Sequence, residues 1–479
     1  MIKEKDIYKY NNIFNYFKEI SSITRLPGEE EEISEYLINF ANENNLEYFK
    51  DKNLNVIIKG KNFKLDKSKK EVILQSHMDM VYSVDPHSDF KIDKDHIKLM
   101  VDRQFIKAKG TSLGADNGIG MAIILSILEN NQFENINLKA IFTSKEEKGM
   151  EGAKKLNPKY LKGDILINLD SQKEKEVITS CCGGVTSEIS IKREFKDKSF
   201  DGSFYKIIIT GLKGGHSGLS INKSRANAIK LISRTLKEIS ENIKFDLAFI
   251  KGGEEVNTIA KCSEIIIHIK DSDRKKMANI LDDLQKTYNL EYKSVSNIRI
   301  YIRKVDKNFK VYKDEITKKL INLIYLLPQG VNQKTIEFVQ ASSNISKVYE
   351  KEKEIVFKID LRSYRDSLKK YLKYKLKCIC SLINCKYKFG SEYPAWNYQS
   401  YSKIRNDLQK TYKELFNEEI KLTKKHAGLE CGVFKNKNYN LDIISIGPDI
   451  YDVNTPKEKV SIESINRIYI LLYNLLTNI

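Results

Sequence analysis

The sequence predicts an α/β protein in which a mostly parallel sheet is interrupted by an inserted α+β domain. In the first part of the chain, apolar runs of strand length alternate with helical runs, which is typical of a parallel sheet. The pattern changes near residue 187, and the first pattern returns near residue 394. A length of 479 residues also favours two domains. We therefore predict a first domain formed by residues 1–186 and 394–479, and an insertion formed by residues 187–393.

The first domain opens with two helical patterns and one short strand, at residues 6–22, 29–42 and 55–58. Three strands follow, each leading into a polar turn that carries acids, at residues 71–75, 138–143 and 164–169. Helices are predicted between and after these strands, at residues 117–128 and 150–156. Ligands of a parallel sheet bind beyond the carboxyl ends of its strands, so the acidic turns are the expected site.

The elements after residue 187 follow first the α+β pattern of the insertion and then the α/β pattern of the first domain. In the insertion, strands are predicted at residues 205–209, 264–269, 298–302 and 354–360, with a long helix at residues 224–239. In the last segment, helical patterns at residues 402–416 and 461–476 surround a buried strand at residues 441–446. No internal repeat is visible in the sequence.

Composition argues against several classes of function. The formal net charge is +18, but lysine is spread along the whole chain and arginine, the better ligand for bases and phosphates, is much rarer. Without an aromatic-rich basic motif or a zinc finger, no nucleic-acid partner is expected. No apolar run approaches the ~18 residues of a membrane span, and the first residues lack an apolar signal segment. We expect no membrane association and a cytoplasmic location, which the absence of C-x-x-C spacing among the cysteines also fits.

One histidine and five acids follow the three predicted strands or open the helix between them: His77, Asp79, Asp116, Glu146, Glu147 and Asp170. In an extended segment His77 and Asp79 point to the same side, where an acid can fix the imidazole tautomer. So much negative charge at one edge would repel itself without a cation. Oxygen and imidazole ligands suit zinc or manganese, and a shared carboxylate can hold two ions ~3.5–4 Å apart.

Each of these residues also has an ordinary structural explanation. A single acid at a strand end is usually a cap or turn residue, and a single histidine can be a satisfied core residue. The coincidence at three successive strand ends favours a metal site. His216, in the glycine-rich segment 211–218, is open to two interpretations, a structural turn or a group that binds an anion or carbonyl at another domain or subunit.

Nine segments of the chain, in order, closely resemble those of the aminoacyl-histidine dipeptidases, also called cytosol non-specific dipeptidases. They are ILQSHMDMV (73–81), GTSLGADNGIG (110–120), IFTSKEEKGMEGA (141–153), LINLDS (166–171), GLKGGHSG (211–218), FVQASSN (338–344), YPAW (393–396), HAGLECG (426–432) and ISIGP (444–448). This resemblance covers most of the chain. It implies a zinc-peptidase catalytic domain with an inserted lid domain that often mediates dimerisation, so a homodimer through the lid is expected.

The resemblance also implies a role for each matching residue. His77 and Asp170 would bind metal, Asp116 would bridge two zinc ions, and Glu147 would complete one site, with manganese or cobalt as alternative ions. The two catalytic residues would be Asp79, which orients His77, and Glu146, the general base for a metal-activated water.

Four further residues would contact a small peptide substrate. His216 and Asn257 in the lid would bind it or stabilise the oxyanion, also across a dimer. His426 and Glu430, within HAGLECG, would complete the substrate-binding set.

The chain departs from the family pattern at one expected metal ligand. Asn454 stands where a family histidine ligates the second ion, and an amide oxygen is a poor zinc ligand, so we expect that site to be weakened or lost. Lys145 and Gln172 replace acids and Lys261 replaces a common arginine; a lysine next to Glu146 would lower the pKa of Glu146.

The sequence therefore leaves three functions open. The first is a metallo-dipeptidase that cleaves dipeptides of Xaa-His or broad type. The alternatives are a catalytically degenerate peptide-binding or interaction protein of the same fold, and a related amide hydrolase or deacylase.

Overall fold

The computed structural model describes residues 12–63, 68–130, 133–294 and 296–479, which form two compact units. The first unit contains the described residues up to Cys181, together with Trp396–Lys425 and Leu429–Ile479; the second contains Cys182–Ala395 and His426–Gly428. The chain thus passes between units a few residues from the boundaries expected from the sequence. The short segment His426–Gly428 was not foreseen as part of the second unit. No helix among the described residues is long and apolar enough to span a membrane.

The first unit is built on an eight-stranded sheet with the order β1-β2-β6-β3-β7-β21-β8-β20, and a small four-stranded sheet, β22-β23-β5-β4, lies beside it in the same unit. With numbering along the whole chain, its strands are β1 (Tyr48–Lys50), β2 (Val56–Lys59), β3 (Lys70–His77), β4 (Leu99–Asp102), β5 (Phe105–Ala108), β6 (Ile136–Thr143), β7 (Ile165–Asn168), β8 (Glu176–Cys181), β20 (Lys421–Lys425), β21 (Asp442–Ser445), β22 (Ile450–Tyr451) and β23 (Lys459–Ser461). The four neighbours β6, β3, β7 and β21 run parallel, as predicted.

Seven helices in the described part of the chain complete the first unit: α1 (Ile13–Ser21), α2 (Glu31–Glu43), α3 (Ala115–Glu129), α4 (Glu151–Lys155), α9 (Lys403–Phe416), α10 (Glu430–Lys437) and α11 (Ile462–Asn478), with a 3₁₀ turn at Pro158–Leu161. Every residue of β6 and β7 is buried, as expected for parallel strands covered on both faces. The predicted helix at residues 6–22 is seen only from Ile13, because residues 1–11 lie outside the described part of the chain.

The register of the parallel strands sets the position of the acidic turns. His77 pairs with Thr143 at the end of β3 and β6, and Gln75 pairs with Asn168 at the end of β7. The segments that follow these three strands therefore leave the sheet side by side. The strand β3 also runs two residues beyond the predicted apolar run, so His77 is its last residue.

The second unit is built on a nine-stranded sheet with the order β14-β11-β13-β12-β17-β18-β9-β19, in which β16 pairs with β17. The strands of this sheet are β9 (Gly183–Lys192), β11 (Ser203–Thr210), β12 (Phe245–Gly252), β13 (Ser263–Ile269), β14 (Arg299–Val305), β16 (Gly330–Lys334), β17 (Val339–Glu350), β18 (Glu354–Ser363) and β19 (Lys386–Tyr393). Two further strands of the unit, β10 (Phe195–Lys196) and β15 (Val311–Tyr312), form a separate two-stranded sheet. Its helices are α5 (Ala228–Asn242), α6 (Arg274–Glu291), α7 (Asp314–Leu326) and α8 (Asp366–Ile383), with a 3₁₀ turn at Asp271–Asp273.

This unit contains an internal duplication that the sequence does not reveal. The elements β11-α5-β12-β13-α6-β14 and β9-α7-β17-β18-α8-β19 repeat one βαββαβ order. Their strands also share one spatial order, β14-β11-β13-β12 in one half and β19-β9-β18-β17 in the other. The two halves meet where β12 pairs with β17 at Gly252 and Val348.

The junction between the halves predicts an unequal effect of two glycine substitutions. Gly253 and Gly330 both have positive φ, so alanine at either position costs ~1–2 kcal/mol of backbone strain. A Cβ at Gly253 would also clash with the carbonyl oxygen of Ser346, whereas a Cβ at Gly330 meets nothing. We expect Gly253→Ala to lower the melting temperature clearly more than Gly330→Ala. Equal melting temperatures of the two variants in thermal unfolding would contradict this account of the junction.

Candidate metal centre

His77 is held in one orientation at the end of β3. Its side chain is only 1% exposed, its Nδ1 atom lies 3.0 Å from the carbonyl oxygen of Asp79, and its Nε2 atom lies 3.1 Å from Oδ1 of Asp116. Because a carbonyl oxygen can only accept, Nδ1 carries a proton and Nε2 is left to bind a second proton or a cation. Burial lowers the pKa of His77, but hydrogen bonds to Asp116 and Asp79 outweigh it and raise the pKa above its ordinary value.

Asp116 lies at the start of α3, in a loop whose backbone is tightly held. The backbone N–H groups of Leu113, Ala115 and Asp116 donate to the carboxylate of Glu458, at 3.2, 2.9 and 3.4 Å. Burial raises the pKa of Asp116, but the bond from His77 and the nearby charge of His77 outweigh it and keep the pKa below its ordinary range. Asp116 is thus an ionised carboxylate facing an imidazole.

Asp170 completes a group of three side chains that could hold a metal ion. One ligand atom from each of His77, Asp116 and Asp170 lies within 4.8 Å of the others, and all three side chains are buried. Burial and the negative charge of Asp116 raise the pKa of Asp170 to about 6. Two buried carboxylates and an imidazole whose Nε2 atom faces one of them, without any thiolate, fit a divalent ion such as zinc, manganese or cobalt. The sequence-predicted ligands His77, Asp116 and Asp170 are therefore brought together.

Asp79 is fully buried and organises the turn that follows β6. Its two carboxylate oxygens accept from the backbone N–H groups of Glu146, at 2.9 Å, and Glu147, at 3.0 Å. Its carboxylate also lies 3.5 Å from Nδ1 of His77, farther than its own carbonyl oxygen. Asp79 therefore contacts His77 mainly through its backbone and holds the glutamate pair through its side chain.

The pKa of Glu146 differs from the sequence-based expectation. A lysine beside it was expected to lower that pKa, whereas burial and the charge of Glu147 raise it well above the ordinary value. The expectation was wrong because Lys145 adopts a left-handed conformation, with φ of 55°, and its side chain lies beside Gly28. Desolvation and the neighbouring acid Glu147 thus raise the pKa of Glu146.

The side chain of Asn454 lies next to Glu147, a predicted metal ligand, and acts as a hydrogen-bond donor. Its Nδ2 atom donates to Oε1 of Glu147 at 3.0 Å. Burial and the charge of Asp116 raise the pKa of Glu147 to about 7, and the bond from Asn454 opposes that rise. Asn454 has φ of 61°, a conformation in which asparagine and histidine are both enriched.

Glu430 is also part of the first unit, at the first residue of α10. It is 1% exposed and accepts from Nε2 of Gln75 at 2.6 Å and from Oγ1 of Thr143 at 2.7 Å. Burial raises the pKa of Glu430 to about 7. The side chains of Gln75 and Thr143 lie at the ends of β3 and β6, so Glu430 is tied to the strands that carry the predicted ligands.

The other predicted substrate-binding residues, His216, Asn257 and His426, belong to the second unit and lie near one another there. Nδ1 of His216 accepts from the N–H groups of Gly218 and Leu219, both at 3.1 Å, and the carbonyl of Asn257 accepts from Ser217 at 2.7 Å. Nε2 of His426 lies 2.8 Å from Oγ of Ser342. Burial, with the charge of Arg362, lowers the pKa of His426 to about 3, so its ring is neutral.

Sequence reasoning missed several residues that organise these groups. Arg362 is buried in the second unit and donates to Asp360 at 2.8 Å and to Tyr393 at 3.1 Å. In the first unit, Glu458 holds the Asp116 loop, and Gln172, noted only as a departure from the family, donates to Oδ2 of Asp116 at 3.0 Å. No motif of the sequence identifies Arg362, Gln172 or Glu458, because each acts through partners that only the folded chain brings next to it.

Comparison with known proteins decides the family. The model of peptidase family M20/M25/M40 matches residues 73–478. The chain belongs to this family. It is 33% identical, over 483 aligned positions that cover 98% of this chain and 97% of its relative, to the cytosol non-specific dipeptidase of Escherichia coli strain K12.

Two solved structures extend this comparison. The aminoacylhistidine dipeptidase from Vibrio alginolyticus has a TM-score of 0.81 at 30% identity, with 98% of this chain and 96% of that chain covered. The di-peptidase Dug1p from Saccharomyces cerevisiae shares the fold, with a TM-score of 0.55 at 13% identity and coverage of 99% and 97%. The resemblance to aminoacyl-histidine dipeptidases and the α/β fold with an inserted lid domain are thus confirmed.

The raised pKa values predict how the metal-free M20 chain responds to pH. Asp170, with a pKa of about 6, and Glu147 and Glu430, with pKa values of about 7, keep protons in the folded chain that the unfolded chain loses near pH ~4. Their contribution to stability is complete below pH ~4 and is lost as the pH rises through ~6–7. In EDTA we expect the melting temperature to fall between pH ~5 and ~8, with added zinc reversing the fall.

A pair of variants isolates this effect. Asp170→Asn removes one buried charge and should flatten part of the pH dependence in EDTA, whereas Asp164→Asn changes an exposed aspartate and should not. A melting temperature in EDTA that stays constant over this range would contradict the raised pKa values.

Proposed function

We propose that the chain is a metal-dependent dipeptidase in which Glu146 is the general base. The observation that carries the proposal is the close group of His77, Asp116 and Asp170, with Asp79 linking His77 to the turn that bears Glu146. Membership of a peptidase family and similarity to two dipeptidases over nearly the whole chain support it.

In this mechanism His77, Asp116 and Asp170 would hold a divalent ion. When bound, a divalent metal supplies a Lewis acid that polarises the peptide carbonyl and makes water a stronger acid. Glu146 takes a proton from the attacking water and delivers it to the leaving amine nitrogen. A carboxylate whose pKa is raised by burial and by Glu147 retains that proton long enough to transfer it near neutral pH. Asp79 fixes the backbone of the turn that carries Glu146.

For the substrate, we propose a dipeptide with broad or Xaa-His specificity, following the names of the two similar proteins. In the lid, neutral His426 next to Ser342 and the turn that holds His216 beside Asn257 offer polar groups to such a substrate. A homodimer through the lid and zinc as the physiological ion are further parts of this proposal.

Replacing the general base should separate catalysis from metal binding. Glu146→Gln cannot take up a proton and should lower kcat by ~10²–10⁴-fold, while metal content is unchanged. The measurement is hydrolysis of a panel of Xaa-His and Xaa-Gly dipeptides with zinc or manganese, with metal content determined by plasma mass spectrometry. Glu151→Gln, which removes a partly exposed acid on the adjoining helix, is the matched control. Full activity of Glu146→Gln would rule out this base.

We also propose that the chain binds its second metal ion weakly or not at all. Asn454 donates to Oε1 of Glu147, and Gln172 donates to Oδ2 of Asp116. A second ion shared by these two carboxylates would need the same oxygen atoms, and an amide N–H₂ group cannot ligate a cation. The amide donors therefore compete with that ion.

A histidine at position 454 should restore the second site. Asn454→His replaces the amide donor by an imidazole ligand and should raise the metal content from one ion to two per chain. Asn417→His is the control, because Asn417 shares the left-handed conformation but is an exposed residue after α9. Two ions bound by the unmodified chain would contradict a weakened second site.

The same two amide contacts favour a second candidate function, a degenerate family member that binds peptides without cleaving them. The dipeptide panel distinguishes the two. Hydrolysis that depends on Glu146 supports the enzyme. Peptide binding by calorimetry, without hydrolysis at any metal concentration, supports the binding protein.

A further inference from the structure

Arg25 is a fully buried arginine that connects two segments bearing proposed metal ligands. Its side chain is 0% exposed, Nη1 donates to the carbonyl of Met78 at 2.9 Å, and Nη2 donates to the carbonyl of Gly114 at 2.7 Å. Met78 lies between His77 and Asp79, and Gly114 precedes Asp116 by two residues. One guanidinium group therefore spans the end of β3 and the loop before α3.

The surrounding backbone is shaped to admit this guanidinium. A Cβ atom at Gly114 would lie 2.6 Å from Nη2 of Arg25, and one at Gly118 would lie 2.8 Å from it. Gly114 also has φ of 70°, which glycine adopts without strain. The backbone N–H of Met80 donates to the carbonyl of Arg25 at 3.0 Å, so the arginine is fixed at both its backbone and its side chain.

Glu458 holds the same loop through its N–H groups. Its carboxylate is 2% exposed and accepts from Leu113, Ala115 and Asp116. The loop therefore gives a carbonyl to a buried guanidinium group and three N–H groups to a buried carboxyl group. Neither Arg25 nor Glu458 is among the groups that would contact the metal or the substrate in the proposed function.

We propose that Arg25 and Glu458 are positioning residues that set the distance between His77 and Asp116, and through it the affinity and geometry of metal binding. This inference rests on the proposed binding of a metal by His77, Asp116 and Asp170. Because Nε2 of His77 lies 3.1 Å from Oδ1 of Asp116, a small shift of either segment changes how both reach one ion. The planar fork of arginine bridges two carbonyls, which the single ammonium of lysine cannot do in the same geometry.

The test compares two arginine-to-lysine variants of the full chain with Co²⁺ as the probe. Arg405 is the matched control, since it is 5% exposed and also donates to two carbonyls, those of Gln399 and Ser400, both at 2.8 Å. We expect Arg25→Lys to weaken Co²⁺ binding by ~10–100-fold and to change the visible absorption spectrum of bound Co²⁺. Arg405→Lys should lose thermal stability but keep the affinity and spectrum of the unmodified chain.

A purely structural role for Arg25 would lower stability in both variants and leave Co²⁺ binding unchanged, which would overturn the proposal. If Arg25→Lys does not fold, Glu458→Gln tests the same pair, with Glu174→Gln as its control, because Glu174 is also buried and accepts from Tyr412 and Arg467. Unaltered Co²⁺ affinity and spectrum in folded Glu458→Gln would equally overturn it. Failure of the unmodified chain to bind Co²⁺ would contradict the metal proposal itself, and this inference with it.

Discussion

The burial of several carboxylates at one edge of a sheet is the constraint on which the rest of the site depends. Parallel pairing of β3 with β6 and β7 brings His77, the Glu146–Glu147 turn and Asp170 to that edge. Burial and mutual repulsion then raise the pKa of Asp170 to about 6 and that of Glu147 to about 7. A buried acid in such surroundings needs a hydrogen-bond donor, a proton or a cation, and each nearby residue can be understood by which of these it supplies.

Most of the donors are fixed parts of the folded chain. Backbone N–H groups satisfy Asp79 and Glu458, and the guanidinium of Arg25 satisfies carbonyls on both ligand-bearing segments. Donors held in place by the fold need no rearrangement when a ligand binds, which is how preorganised sites gain affinity. The amides of Asn454 and Gln172 differ, because they satisfy the oxygen atoms that a second ion would use. Under the proposed function, the buried carboxylates need hydrogen-bond donors, and the amide donors that satisfy two of them also hinder the binding of a second ion.

The lid domain consists of two copies of one βαββαβ arrangement. β12 of one half pairs with β17 of the other at Gly252 and Val348, and this pairing joins the halves into one sheet. The proposed substrate-binding groups are not symmetric in this arrangement: His216 lies after β11 in one half, whereas Ser342, the partner of His426, lies on β17 in the other. The proposed substrate-binding groups thus come from different positions in the two repeated halves.

The sequence by itself determined the parallel strands, the inserted domain and the residues at the strand ends, because apolar periodicity and neighbouring polar turns are local properties. It also placed Asn454 at the motif position, and that side chain does reach Glu147. Only the tertiary structure decided that Asp79 holds the glutamate turn, that Glu146 has a raised rather than a lowered pKa, and that the lid is duplicated. The bond from Leu113 to Glu458 joins residues 345 positions apart. Contacts of this kind depend on the path of the whole chain, and local patterns do not record that path.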